Sequence, residues 1–338
     1  MPNYASSYTF SNPLQVMTRE AVISDVIFDQ NFTKSGKFMQ YMLQKGMVDD
    51  KKGGAALTWQ NNFGSSPNTV AFDGDDNLPI ASMTSNLQRA ALPWRAYADA
   101  LVLAILDVVD NEDSPEALAS LVEGQLDITK MSLVDRLAGD ILTNTPSINP
   151  KGLDGIAEAI DSGTVAPTYA GIGRTQFGTR WQSTVNYAVP STTSILNTIH
   201  SNDLTASIDN QRPDAYFCNT LMFGQIIESL FAQDAYIQPE MVRAAGGTDL
   251  IFNGNPLFID NHIPTGVASP NGTAGTYGQF LGINSTYLRY VINPKMRFSV
   301  TDWIAAQNNG TVFVRIFFRG NLVVPKPAAH FTFWYQGT

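Results

Sequence analysis

Residues 114–161 read SPEALASLVEGQLDITKMSLVDRLAGDILTNTPSINPKGLDGIAEAID, and this stretch sets the frame for the rest of the chain. Ser114 is a good N-cap, and Pro115 fits the first helical position, where its missing N–H would have no partner anyway. Glu116 and Glu123 place negative charge toward the positive end of the helix dipole. Leu118, Leu121, Val122 and Leu126, then Val134, Leu137 and Ile141, mark one apolar face, and Asn144-Thr145-Pro146 stops the run. The spacing predicts a single helix over 115–143, about 40 Å long at the rise of an α-helix. Such a helix is a spine for whatever packs around it. GLDGIAEAID, residues 152–161, then reads as a loop leading into a short helix.

Toward the N-terminus, Trp94 to Val109 reads as an apolar helix, although its Val/Ile/Leu density leaves a strand open. Before it lies a polar ribbon over 53–93. There Leu57 and Trp59 alternate with Thr58 and Gln60, a Gly/Asn/Asp-rich stretch follows, and a second strand is expected from Ile80 to Leu87. A two-stranded ribbon with so few apolar residues is marginal in water, so its faces are expected to rest on a neighbouring copy. Residues 1 to about 20 read as an extended arm, and Ala21 to Met47 as one or two short helices split near Ser35-Gly36. Toward the C-terminus come a helix near Thr193–Ser201, a strand and helix over 214–231, and two strands around Asn253-Gly254-Asn255. A strand follows in which Val312, Val314, Ile316 and Phe318 alternate with Arg315 and Arg319, then a separate one at Leu322–Val324. The fold class is α+β.

The 338 residues are 44% hydrophobic, enough for a sizeable core, yet only 15% are charged, against roughly 25% in average soluble proteins. That balance suits a surface largely covered by other protein. The net charge of -9, with no basic cluster longer than Lys51-Lys52, disfavours sequence-specific reading of nucleic acid. The same sign suits the inner wall of a container for DNA. One cysteine, Cys218, makes an intrachain disulfide impossible, and the longest apolar stretch, near 98–109, is interrupted by Asp99 and Asp107. Neither a leader nor a membrane association is expected, and assembly is expected in the cytoplasm.

His200, His262 and His330 stand far apart, without a second His or Cys at ligand spacing, so no metal is expected. Cys218 sits in an apolar run and reads as a buried hydrophobe. Gly171-Ile172-Gly173-Arg174 has Gln176 where a dinucleotide loop needs its third glycine. Asp73, Asp75 and Asn77 have calcium-loop spacing, but Thr84 stands where the bidentate Glu belongs. No catalytic residue and no cofactor are expected. A soluble α/β enzyme with an unrecognised site is the remote alternative.

The order arm, polar ribbon, spine helix, mixed lobe and closing strand pair resembles the Hong Kong 97 fold of tailed-bacteriophage major capsid proteins and their encapsulin relatives. Three stretches carry the likeness: Leu153-Asp154-Gly155-Ile156 through Ile160-Asp161, then Phe252-x-Gly254-x-Pro256-Leu257-x-Ile259-Asp260, and last Gly320-Asn321-Leu322-Val323-Val324 with Pro325 and Pro327. The resemblance implies an N-terminal arm over 1–50, an extension loop over 53–93 that lies on an adjacent subunit, and a peripheral domain over 94–200 closed by return strands 312–338. It implies an axial domain over 201–311. It further implies pentamers and hexamers in an icosahedral virion head around double-stranded DNA, with a portal and, in some heads, decoration proteins. An encapsulin-like compartment is the nearer alternative. Because the arm follows Met1 almost at once, a separate scaffolding protein is expected. With no lysine between Lys52 and Lys130, a covalent cross-link from the loop is not expected. Inter-subunit contacts are expected from Leu57, Trp59 and Met83 on the ribbon, from Asp73, Asp75 and Asp76 at its tip, and from Arg89 and Arg95 near its base.

Overall fold

The computed structural model describes residues 36–64, 70–73, 87–105, 115–207, 211–233, 250–264, 276–306 and 310–336. In chain order these form α1 (Lys37–Gln44), β1 (Val48–Asp50), β2 (Ala56–Asn62), β3 (Leu87–Pro93), β4 (Arg95–Ala104), α2 (Pro115–Thr143) and the short α3 (Ile156–Ala159). Then follow β5 (Thr168–Tyr169), β6 (Ile172–Gly173), β7 (Thr184–Val189), α4 (Ile195–Ala206), β8 (Ala215–Cys218), α5 (Thr220–Gln233), β9 (Leu250–Phe252) and β10 (Asn255–Ile259). The last elements are β11 (Tyr277–Ile283), β12 (Arg289–Ile292), β13 (Ser299–Val300), β14 (Ile304–Ala305), β15 (Thr311–Val323) and β16 (Phe331–Gln336).

The spine helix spans the residues its caps and stops foretold, Pro115–Thr143. It ends against the loop that follows. The Gly155 N–H donates to Asn144 O, and a Cβ at Gly155 would stand 2.6 Å from the carbonyl oxygens of both Asp140 and Asn144. Only glycine allows this loop to seat on the last helical turn, which gives the LDGI stretch its physical reason.

Among the described residues the strands form two large sheets. In the first, β15 runs antiparallel along β4 from Thr311–Ala104 to Gly320–Arg95, while β12, β13 and β14 pair with its other flank. Residues 95–104 are therefore strand, not the expected helix. A ten-residue ladder with β15 satisfies their backbone, and Leu101 and Leu103 alternate inward where a helix would have needed a 3.6-residue period. The segment at Leu322–Val324 is likewise no separate strand, because β15 continues through Val323 to pair with β12.

The second sheet has the order β7-β16-β11-β8-β10-β9. It is apolar on both faces. Tyr216 and Cys218 of β8 face the cluster that includes Ile195 and Ile199 of α4 and Met222 of α5, whereas Phe217 faces Phe38 and Tyr41 of α1 at ring distances of 5.0 and 5.5 Å. Burial on both sides explains the unbroken apolar run at 215–218. Residues 36–50 thus belong to the body, with α1 in the core and β1 parallel to β12. Residues 1–35, which hold the expected extended arm, lie outside the described residues.

The sheets do not follow the expected segment boundaries. β7, from within 94–200, and β16, from within 312–338, join the second sheet, which α4 covers across the boundary at 200, while β12, β13 and β14, from within 201–311, join the first. Strand partners far apart in sequence, which no local pattern specifies, drew these lines.

Candidate assembly surface

The ribbon base is β2 paired antiparallel with β3, from Ala56–Pro93 to Asn62–Leu87. Its second strand begins at Leu87, where the expected one ended, and residues 80–86 lie outside the described residues. Leu57, Ala90 and Leu92 point into the chain's own core, and Trp59 packs half-buried against it. At its far end Phe63 stacks on Phe177 at 4.0 Å and meets Trp181 edge-on, and the Ala91 N–H donates to Ala170 O. Such aromatic pairs each add about 0.5–1.5 kcal/mol beyond the area they bury.

The expectation that the ribbon has to rest on another copy is therefore corrected for its base, which stands on its own body. Leu57, 4% exposed, is spent internally and offers no surface to a neighbour. Farther out the picture differs: Val70, Phe72 and Leu87 are exposed large apolar residues, and Asp73 and Arg89 are exposed beside them. Asp75, Asp76 and Met83 lie outside the described residues.

Arg95 is engaged within its own chain. Its guanidinium grips Asp154 through two nitrogens, at 2.7 and 3.4 Å, and donates to Pro150 O, while Asn321 Nδ2 donates to the same carboxylate at 2.6 Å. Asn321 Oδ1 accepts the Asp154 N–H and Asn321 Nδ2 reaches Pro93 O. This joint ties the ribbon base, the loop after the spine helix and the end of β15. The first and third of the sequence stretches that carried the resemblance thus meet at one buried carboxylate. Beside it Glu158 is pushed up to about 8 by its own burial and by the neighbouring Asp154 charge.

A surface the sequence reading missed lies on the far side of the first sheet from the spine helix. Register sets Val102 opposite Phe313, Ala100 opposite Arg315, Ala98 opposite Phe317 and Ala96 opposite Arg319, with Ile304 beside Phe313 on the other flank. The alanines, Val102, Ile304 and Arg315 are exposed, and Phe313 and Phe317 are half-buried. Arg315 lies over the Phe313 ring at 5.2 Å and Arg319 over Trp94 at 5.3 Å. The face is apolar and cationic. Its signal was present in the sequence, since Phe313 and Phe317 share a strand face with the arginines, where a solvated face would be polar throughout.

The singled-out chemical motifs take ordinary structural places. Gly171 (φ 78) turns the β5–β6 hairpin, and Arg174 behind it is fully buried, donating to the carbonyls of Ala159, Ala166 and Trp181. Burial pushes the Cys218 thiol up to about 12 and holds His330 down to about 4, where it is a neutral acceptor for the Asn284 N–H. A cleft of about 300 Å³ beside β7 and α4 is lined by Asn186, Val189, Thr193, Asn197, Thr198, Ser201 and Asn202, without a titratable group. Among the described residues no three His, Cys, Asp or Glu side chains are grouped to hold a metal. No described helix is long and apolar enough to cross a membrane.

No family model matches the sequence, and no curated protein matches it. Solved structures do. The capsid of a native GTA particle covers 88% of this chain with 90% of its own at a TM-score of 0.56 and 10% identity. The capsid of cyanophage A-1(L) covers 82% with 86% of its own, at 0.55 and 13% identity. The SrpI encapsulin of Synechococcus elongatus PCC 7942 covers 87% with 86% of its own, at 0.52 and 10% identity. The chain has the Hong Kong 97 fold. These neighbours of the Hong Kong 97 fold are structural shell proteins.

Proposed function

We propose that this chain is the major capsid protein of a tailed bacteriophage, forming the pentamers and hexamers of an icosahedral head around double-stranded DNA, and that it is not an enzyme. The observation that carries the reading is the presence of two complementary exposed surfaces on one chain. An apolar, acidic ribbon end with exposed Phe72 and Asp73 complements the apolar, cationic sheet face around Phe313 and Arg315. Both surfaces stay exposed on the single chain, whose ribbon base is committed to its own core, and repetition by symmetry would bury them between copies. Charge on the two surfaces would set register more than strength. The first sheet with α2 plays the part of the peripheral domain and the second sheet with α4 and α5 that of the axial domain. A separate scaffolding protein and a portal are the partners this role calls for, joined in some heads by decoration proteins, with assembly in the host cytoplasm and the virion head as destination.

The test is electron microscopy of the purified full chain, expressed with and without its scaffold, beside the Arg315→Glu variant. Closed particles, rings or tubes from the wild type, lost in the variant while its circular dichroism is unchanged, are the expected result. A wild type that stays a monodisperse monomer at high concentration overturns the proposal. The likeness to the SrpI encapsulin supports a second reading, a compartment enclosing protein. Particles that carry nuclease-sensitive DNA favour the head, and particles that carry a stoichiometric protein cargo favour the compartment.

A further inference from the structure

His262 stands between two carboxylates from distant parts of the chain. Its Nε2 lies 2.9 Å from Asp135 Oδ1 on the spine helix, and its Nδ1 lies 3.0 Å from Asp260 Oδ1 at the end of β10. Asp260 is 1% exposed and already committed elsewhere: Oδ1 accepts the His262 N–H, and Oδ2 accepts the Phe38 N–H at the start of α1. The ring rests on α2 as well, with a Cβ at Gly139 falling 3.7 Å from its Cδ2. Gly36, with φ +40, brings the chain so close that a Cβ there would stand 2.8 Å from Asp260 Oδ2 and 3.0 Å from His262 Nδ1.

A neutral imidazole has one N–H and can donate to one carboxylate only, whereas an ionised carboxylate can only accept. Both ring nitrogens here face acceptors. The contact set is therefore complete only for the imidazolium, and deprotonation turns one of the two bonds into a lone pair facing an oxygen.

We propose that Asp135, His262 and Asp260 form a proton-operated latch that pins the spine helix to the second sheet and to the N-terminus of α1. The inference stands on this geometry and does not rest on the capsid reading. Among the described residues the charged groups acting on the ring are Asp135 from α2 and Asp260 from its own loop, while α1 offers Asp260 a backbone N–H. Burial pulls the imidazole down, but the hydrogen bonds to Asp135 and Asp260 outweigh it, so its titration is raised above the ordinary 6.5. A raised histidine contributes stability that is complete below its unfolded value and is lost as pH rises through its folded value.

The test uses the full chain, the wild type against Asp135→Asn, which alters an exposed helix position, 75% accessible, and leaves the buried Asp260 in place. Nuclear magnetic resonance of the His262 ring should give a wild-type midpoint above the reference of about 6.5 and a lower one in the variant. Amide exchange, corrected for its intrinsic pH dependence, should show the protection of Phe38 falling about two- to fivefold as pH passes the wild-type midpoint, the loss expected for one partly exposed ion pair. A wild-type midpoint at or below the reference, or a Phe38 protection whose pH dependence is the same in Asp135→Asn, overturns the latch.

Discussion

Replacing Arg95 by methionine keeps the aliphatic stem and removes the guanidinium, and it separates an internal joint from a contact between subunits. The Asp154 side chain is 3% exposed and the Arg95 side chain 17%, so the carboxylate loses its counter-charge in a place water barely reaches. Asn321 Nδ2, at 2.6 Å, remains as a donor but carries no charge. Breaking a buried pair from one side costs roughly 3–5 kcal/mol, and the partial exposure of Arg95 lowers the expectation for Arg95→Met to about 2–4 kcal/mol. Asp154→Asn should cost less, about 1–2 kcal/mol, because the guanidinium left behind still has Pro150 O and an edge toward solvent. The double variant should cost less than the sum of the two, since the singles remove one interaction. Urea denaturation of the single chain, followed by tryptophan fluorescence, measures all three. If Arg95→Met unfolds within about 0.5 kcal/mol of the wild type yet fails to assemble, the joint is not a brace and Arg95 acts between subunits.

Gly155→Ala should lower the thermal midpoint of the chain by an amount matching about 1–3 kcal/mol, because its Cβ would meet two backbone carbonyls at 2.6 Å that cannot rotate away; an unchanged midpoint refutes the close seating on the spine helix. Glu158, raised from 4.5 to about 8 chiefly by burial and next by Asp154, keeps its proton in the folded chain where the unfolded chain has lost it. Stability should accordingly fall as pH climbs from about 4.5 to about 8, and Glu158→Gln should flatten that part of the profile measured by urea titration at stepped pH. The Cys218 thiol, fully buried and pushed up to about 12, should resist a chromogenic disulfide reagent at pH 8 until denaturant is added; rapid labelling of the native chain contradicts the packing of β8.

Much of the fold was legible because its signals are local. The cap residue and proline expected at 114–115 and the stop expected at 144–146 are each signals confined to one helix end, and the helix they announce is the one observed. Asn253 and Gly254, at φ 50 and 81, supply the left-handed pair that a tight two-residue hairpin requires, so the strands around them were readable as well. The candidate site was far less legible. Leu57 and Trp59 were rightly placed on a ribbon strand, but whether that strand leaned on its own chain or on another copy depended on Phe177, Trp181 and Ala170, more than a hundred residues away. The outer sheet face escaped notice because its two halves, 96–102 and 313–319, become one surface only through the β4–β15 register.

Composition and short-range pattern by themselves determined that this is a large α+β chain with a long spine helix, a polar ribbon and a weakly charged surface suited to cover by protein. Tertiary structure alone decided that 95–104 is a strand, that β7 and β16 join the second sheet, and that Arg95 answers to Asp154. The division has one cause. Caps, turns and periodicities act between residues whose separation along the chain is a few positions, whereas strand pairing and the neutralisation of a buried charge are settled by whichever partner the completed core brings within reach.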